Sequence, residues 1–267
     1  MQGIYLTTLF LLGLFSGSFL SVVVDRMPKG EGVVGGRSRC PECKNQIRWF
    51  DNIPLLSYII LGAKCRDCGK QIPRFYPFIE GFMGFLFVLI FLAVGRCDAG
   101  TSVFCQWSGE LGQFTLPFFL LVATFLVGIF ITDLRHQLIP DELSLGLFVI
   151  ASLGLIFARP DKVYVNFFTG FVAAGFLLML HLITKGKGMG LGDVKLAIPL
   201  GIILGFPLTV WWMSMGFIIG AVVGVVLILS KKTEFGRHIA FGPFLIIAFA
   251  ITLFCSNQII ERCFPVF

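Results

Sequence analysis

Long uncharged runs alternate with short charged ones along this chain. Residues 1–24 hold no Asp, Glu, Lys or Arg, and neither do 81–95, 111–132, 143–158, 163–184, 196–230 and 239–260. A bilayer-crossing helix needs roughly 20 apolar residues. The run 196–230 is too long for one crossing and carries Gly205-Phe206-Pro207 at its middle, a turn signal. The pattern therefore predicts eight membrane helices. The one extended polar segment is 25–77, and neither an internal repeat nor a low-complexity tract is evident in the sequence.

The polar segments give an orientation. Residues 25–77 carry ten Lys/Arg against five Asp/Glu, which is +5 of the chain's net +6. The positive-inside rule puts this segment in the cytoplasm and the N-terminus outside. With eight spans, the loops 133–142, 185–195 and 231–238 also fall inside, and 17 of the 21 basic residues lie on that side. The first apolar run has no basic residue ahead of it and is expected to be retained rather than cleaved.

Composition agrees with this reading. Of 267 residues, 57% are hydrophobic and 13% charged, where soluble domains run near 25% charged. A disordered chain is excluded, and the composition argues against a soluble globular enzyme. The positive charge is that of loops facing anionic lipid, and no nucleic-acid partner is expected. The expected fold is an all-α polytopic membrane protein with a small zinc-binding cytoplasmic domain between the first and second helices.

The zinc expectation comes from Cys40-Pro-Glu-Cys43 and Cys65-Arg-Asp-Cys68. Two such pairs can supply a closed four-thiolate shell, the structural type with no open coordination position. A reducing cytoplasm favours metal over disulfide. The same ligands also suit a rubredoxin-like iron, and two redox pairs are the alternative use of this spacing. Cys97, Cys105, Cys255 and Cys263 fall outside, where four cysteines permit three pairings; Cys255 reads equally well as a small buried hydrophobe.

Acids at a membrane edge are rare and usually functional. Asp133 ends the third apolar run, and Asp193 follows Gly188-Met189-Gly190-Leu191-Gly192 at the start of the sixth. The topology puts both at the cytoplasmic edge, where two carboxylates could share a proton and activate a water. Asp141, after Pro140, reads as a helix N-cap. Glu80 reads as an interfacial acid paired with Arg74 or another basic residue. His136, His181 and His238 are scattered and read as non-catalytic. There is no GxSxG and no HExxH, so serine-hydrolase and zincin chemistry find no support.

Taken together, the motifs resemble the type IV prepilin peptidases along nearly the whole chain. They include Gly17-Ser18-Phe19-Leu20, Arg26-Met27-Pro28, both cysteine pairs, Asp51-Asn52-Ile53-Pro54-Leu55-Leu56-Ser57-Tyr58 and Arg74-Phe75-Tyr76-Pro77 with Glu80. Asp133-Leu134-Arg135-His136-Gln137-Leu138-Ile139-Pro140-Asp141, Gly190-Leu191-Gly192-Asp193 and Phe241-Gly242-Pro243-Phe244 complete them. The resemblance implies a GxGD-type aspartic peptidase of the bacterial inner membrane with Asp133 and Asp193 as its catalytic acids. It implies removal of a short basic leader from prepilins or pseudopilins after a Gly. It also implies methylation of the new N-terminal amine with S-adenosylmethionine. On that basis 1–24 is the first transmembrane helix, 25–77 the four-cysteine zinc domain and methyltransferase region, and 78–267 the membrane-embedded peptidase domain. Ser21 and Asp25 stand where the family often has Asn and Tyr. The competing readings are a transporter using the two acids as ion sites and a non-enzymatic assembly factor.

Overall fold

The computed structural model describes residues 2–32, 38–40, 42–95, 103–186, 188–230 and 240–263. Ten α-helices are described: α1 (Gln2–Arg26), α2 (Leu56–Ile60), α3 (Phe75–Gly95), α4 (Val103–Leu111), α5 (Thr115–His136), α6 (Asp141–Ala158), α7 (Val163–Ile183), α8 (Leu191–Leu204), α9 (Leu208–Leu229) and α10 (Gly242–Cys263). The eight segments expected to cross the membrane are α1, α3 and α5 to α10. Among the described residues six spans are long and apolar enough to cross a bilayer: Gln2–Lys29, Phe75–Gly95, Val103–His136, Asp141–Ala158, Pro160–Ile183 and Leu208–Leu229. The predicted division of 196–230 falls at Gly205, where the backbone turns left-handed at φ +67°. The loop 231–238, with Lys231, Lys232 and Arg237, lies outside the described residues.

The chain divides into two compact units, Met1–Leu92 and Ala93–Phe267. In the first unit α1 lies directly against α3 through glycines. A carbon added to Gly13 would meet the Met83 carbonyl at 2.5 Å, and one added to Gly17 would meet Glu80 Cα at 2.7 Å. Gly13 and Gly17 form a small-xxx-small stripe, the usual way for membrane helices to bring their backbones together.

The polar part of this unit is built from two similar knuckles. In the first, the Cys40 N–H donates to Asn45 O and the Lys44 N–H to Cys40 O, both at 3.0 Å. In the second, Cys65 N–H donates to Lys70 O at 2.8 Å and Gly69 N–H to Cys65 O at 2.9 Å. Antiparallel bridges Arg39–Gln46 and Lys64–Gln71 flank them equivalently. The sequence carries this repeat, against the expectation of none: Cys40, Cys43, Gln46 and Ile47 recur 25 residues later as Cys65, Cys68, Gln71 and Ile72, and Lys44 at φ +61° matches Gly69 at φ +68°.

In the second unit α8 is the core. Leu196, Ala197, Leu200, Ile202 and Ile203 are fully buried among α6, α7 and α10. Asn166 of α7 donates to Ile202 O at 2.9 Å and so satisfies one carbonyl at the end of α8. Helix α4 falls within a stretch read as a loop. Its Trp107 is fully buried and stacks on Phe118 with ring centroids 4.7 Å apart. Ser256 Oγ accepts the Val103 N–H at 3.0 Å. Cys105 is disulfide-bonded, whereas Cys255 and Cys263 are free. Cys97 lies outside the described residues.

Candidate functional site

Asp133 lies in the last turn of α5 and Asp193 in the first turn of α8. Sixty residues apart in sequence, they lie within electrostatic reach of each other, and each is only 5% exposed. Asp193 is fixed from behind: its Oδ2 accepts the Gly190 N–H at 3.2 Å, an acid three residues into a helix reaching back to the cap. The Asp133 carboxylate lies near the backbone N–H of Gly242. Its Oδ2 is buried and has no hydrogen-bond partner among the described residues. A buried carboxylate oxygen without a donor is costly to maintain.

Glycines make the approach possible. A carbon added to Gly242 would meet Asp133 Oδ2 at 2.5 Å and Ile139 Cδ1 at 3.1 Å. One added to Gly192 would meet Ile139 Cβ at 2.9 Å. The Ile139 side chain is thus in close contact with both glycines, one beside each acid.

Two supporting residues were not identified from the sequence. His181 Nδ1 lies 2.7 Å from the Met189 carbonyl. A carbonyl only accepts, so Nδ1 carries the proton, and His181 ties the glycine-rich loop to α7. The only available signal was its spacing of eight residues from that loop. Asp141, expected as an N-cap, makes no side-chain cap bond: Pro140 holds the cap position and Asp141 is the first residue of α6. Its Oδ1 instead accepts from Lys195 at 2.6 Å. That ion pair joins the starts of α6 and α8.

Glu80 also differs from expectation. It lies in the second turn of α3, 8% exposed. Its Oε2 accepts the Leu55 N–H at 2.9 Å, and the Ser18 hydroxyl lies near the carboxylate. Its hydrogen-bond partner among the described residues is thus an amide rather than Arg74. Leu55 holds an unusual φ of +57° to present that amide.

The four cysteines come together. The sulfurs of Cys40, Cys43, Cys65 and Cys68 all lie within 4.8 Å of one another, and Cys40 Sγ is 3.9 Å from Cys68 Sγ. Tetrahedral zinc at about 2.3 Å from each sulfur would set them about 3.8 Å apart, so the donor set fits such an ion. Burial opposes ionisation of Cys40, but the N–H groups of Cys43 and Glu42 and the neighbouring thiols outweigh it and lower its pKa to about 7. At Cys43 the Asn45 N–H acts downward, yet burial and the adjoining thiols prevail and raise it to about 11. The second knuckle is tied down by Arg66, which makes two hydrogen bonds to Asp51, at 2.6 and 2.9 Å. That pairing holds the Asp51 carboxyl below the ordinary range. Lys70 reaches Glu42 of the first knuckle at 3.2 Å.

Comparison with known proteins gives the same answer in both halves of the chain. Residues 11–94 match the bacterial peptidase A24 N-terminal domain, and 120–228 match the type IV leader peptidase family. The chain is 32% identical to proteins named prepilin leader peptidase/N-methyltransferase from Stutzerimonas stutzeri and Pseudomonas aeruginosa. Each match covers 93% of this chain and 90% of the relative. A protein of the same name from Aeromonas hydrophila is 31% identical over 96% of this chain and 92% of its own. No solved structure gives a significant match. The second of these matched segments contains the acids of α5 and α8, the first contains the cysteine cluster, and the chain belongs to the type IV leader peptidase family.

Proposed function

We propose that this protein is a membrane aspartic endopeptidase that removes the short basic leader of prepilins or pseudopilins and methylates the amine so exposed. The observation that carries the peptidase reading is the buried carboxylate pair Asp133 and Asp193, with one oxygen left without a donor. In this mechanism one acid is ionised and accepts a proton from the attacking water. The other is protonated and donates to the carbonyl oxygen of the scissile bond. The glycines at 190, 192 and 242 let the two acids and Ile139 pack directly against the backbone, which fixes the carboxylates in place.

The four-cysteine site holds zinc in this reading. When bound, the ion would lock the two knuckles together and contribute folding free energy to the segment 25–77. With four thiolates it offers no position for a catalytic water. The protein sits in the bacterial inner membrane with both termini outside. Of the four basic residues this orientation leaves outside, Arg159 is buried and neutralised by Glu110 at 3.5 Å, which weakens the exception it makes to the charge rule. A transporter would hold its acids near the bilayer midplane, and an assembly factor would have no use for them.

The test is prepilin cleavage by purified protein in detergent. Asp133→Asn and Asp193→Asn keep side-chain shape but cannot transfer the proton. Each is expected to lower mature pilin formation by about 1,000-fold or more at matched protein levels. Near wild-type cleavage by either would remove the dyad mechanism.

A further inference from the structure

The first unit encloses a cavity of about 660 Å³, within the range of cofactor and small-ligand sites. It is lined by the cysteine module on one side and by α1 and α3 on the other. Its helix wall runs from Ser18 to Arg26 on α1 and from Tyr76 to Glu80 on α3. That wall carries the carboxylates of Asp25 and Glu80, and its one basic side chain, Arg26, lies at the end of α1 and donates to Gly32 O at 3.4 Å. Asp25 is engaged by the Tyr76 hydroxyl at 2.6 Å. Glu80 receives the Leu55 amide, while a carboxylate can accept about four hydrogen bonds. A buried acid with acceptor capacity to spare is suited to a cation bearing several N–H groups, such as a primary ammonium.

Building on the methyl-transfer reading above, we infer that this cavity is where the transfer takes place and that Glu80 is the residue that receives the substrate's N-terminal ammonium. The amine of a membrane-embedded substrate comes from the helix wall, where Glu80 is. The soluble donor, S-adenosylmethionine, enters from the module side and fills the remaining volume. Glu80 first holds the ammonium by a charged hydrogen bond and then takes its proton. The freed nitrogen lone pair forms the N–C bond to the methyl group as the C–S bond breaks. That electron pair stays on sulfur, so the sulfonium becomes a neutral thioether. The methylated nitrogen becomes cationic, and the proton on Glu80 passes to water.

The geometry supplies two separable variants. Ser21 is buried, 4% exposed, and lines the cavity, so the added bulk of Ser21→Leu enters the donor space. Glu80→Gln keeps the shape and can still accept the Leu55 N–H, but loses the charge. The full-length protein in detergent is tested by equilibrium dialysis with radiolabelled S-adenosylhomocysteine, and by methylation of a pilin peptide that already has a free N-terminus. Ser21→Leu is expected to weaken binding about tenfold or more. Glu80→Gln is expected to bind the probe as wild type does, which certifies a folded cavity. Its methylation should fall about 100-fold and recover partly as pH rises above the amine pKa near 8, which a merely structural role would not produce. Wild-type methylation by Glu80→Gln, or loss of probe binding by it, overturns the assignment of Glu80 to the amine. Unchanged binding by Ser21→Leu overturns the cavity. If the wild-type protein neither binds the probe nor methylates the peptide, it is the methyl-transfer reading itself that fails.

Discussion

Asp133 and Gly242 approach so closely that the first carbon of any side chain at 242 would lie 2.5 Å from Asp133 Oδ2. The glycine leaves room for the acid. Gly242→Ala must therefore displace the carboxylate or the start of α10. Cleavage of prepilin should fall about 100-fold, since catalysis is sensitive to displacements of an ångström. The amount of mature pilin formed at matched protein levels is the measurement, and unchanged cleavage would show that the acid tolerates displacement.

His181 tests whether the loop before Asp193 needs a tether. His181→Ala removes the donor to the Met189 carbonyl and should reduce kcat/KM about tenfold. His181→Asn places an N–H close to the lost Nδ1 position and should restore much of the rate. Equal rates for all three proteins would reduce the contact to packing.

The cysteine site should behave as a structural clamp. Cys68→Ser, or treatment with a strong chelator, should release close to one metal ion per chain and expose the segment 38–72 to protease. Elemental analysis and limited proteolysis read the two effects. A full loss of metal with no change in digestion would show that the knuckles hold without it.

Asp141→Asn should be mild, within about twofold of wild-type cleavage, because the pair it forms with Lys195 is exposed and such pairs contribute little. Raising salt should change wild-type activity as little as the substitution does. A large defect would give the Lys195 contact a role in placing α8.

The apolar runs were legible in the sequence because each is uncharged from end to end, and Gly205-Phe206-Pro207 marked the one place where a run had to be divided. The cysteine pairs were legible from spacing, and Asp133 and Asp193 from their position at the ends of apolar runs. Asp141 was misread because a proline before an acid looks like a cap, while its actual partner, Lys195, is 54 residues away. Glu80 was misread for a related reason: sequence displays nearby charges such as Arg74, but not the N–H that Leu55 offers from a left-handed backbone. The packing of α1 on α3 was present in the text as Gly13 and Gly17, four apart, and went unread. Helix α4 was missed because it is only nine residues long, although Val103, Phe104 and Trp107, at i, i+1 and i+4, form one buried face.

The brevity of α8 affects how the site meets the lipid. Fourteen residues rise about 21 Å, against roughly 30 Å of hydrocarbon. Standing alone, such a helix would thin the bilayer or tilt its neighbours. Enclosed by α6, α7 and α10, it is hidden from the acyl chains, which meet full-length helices instead. The mismatch is absorbed inside the protein, so the Asp193 carboxylate at the start of α8, 5% exposed, is set against packed helices rather than against acyl chains.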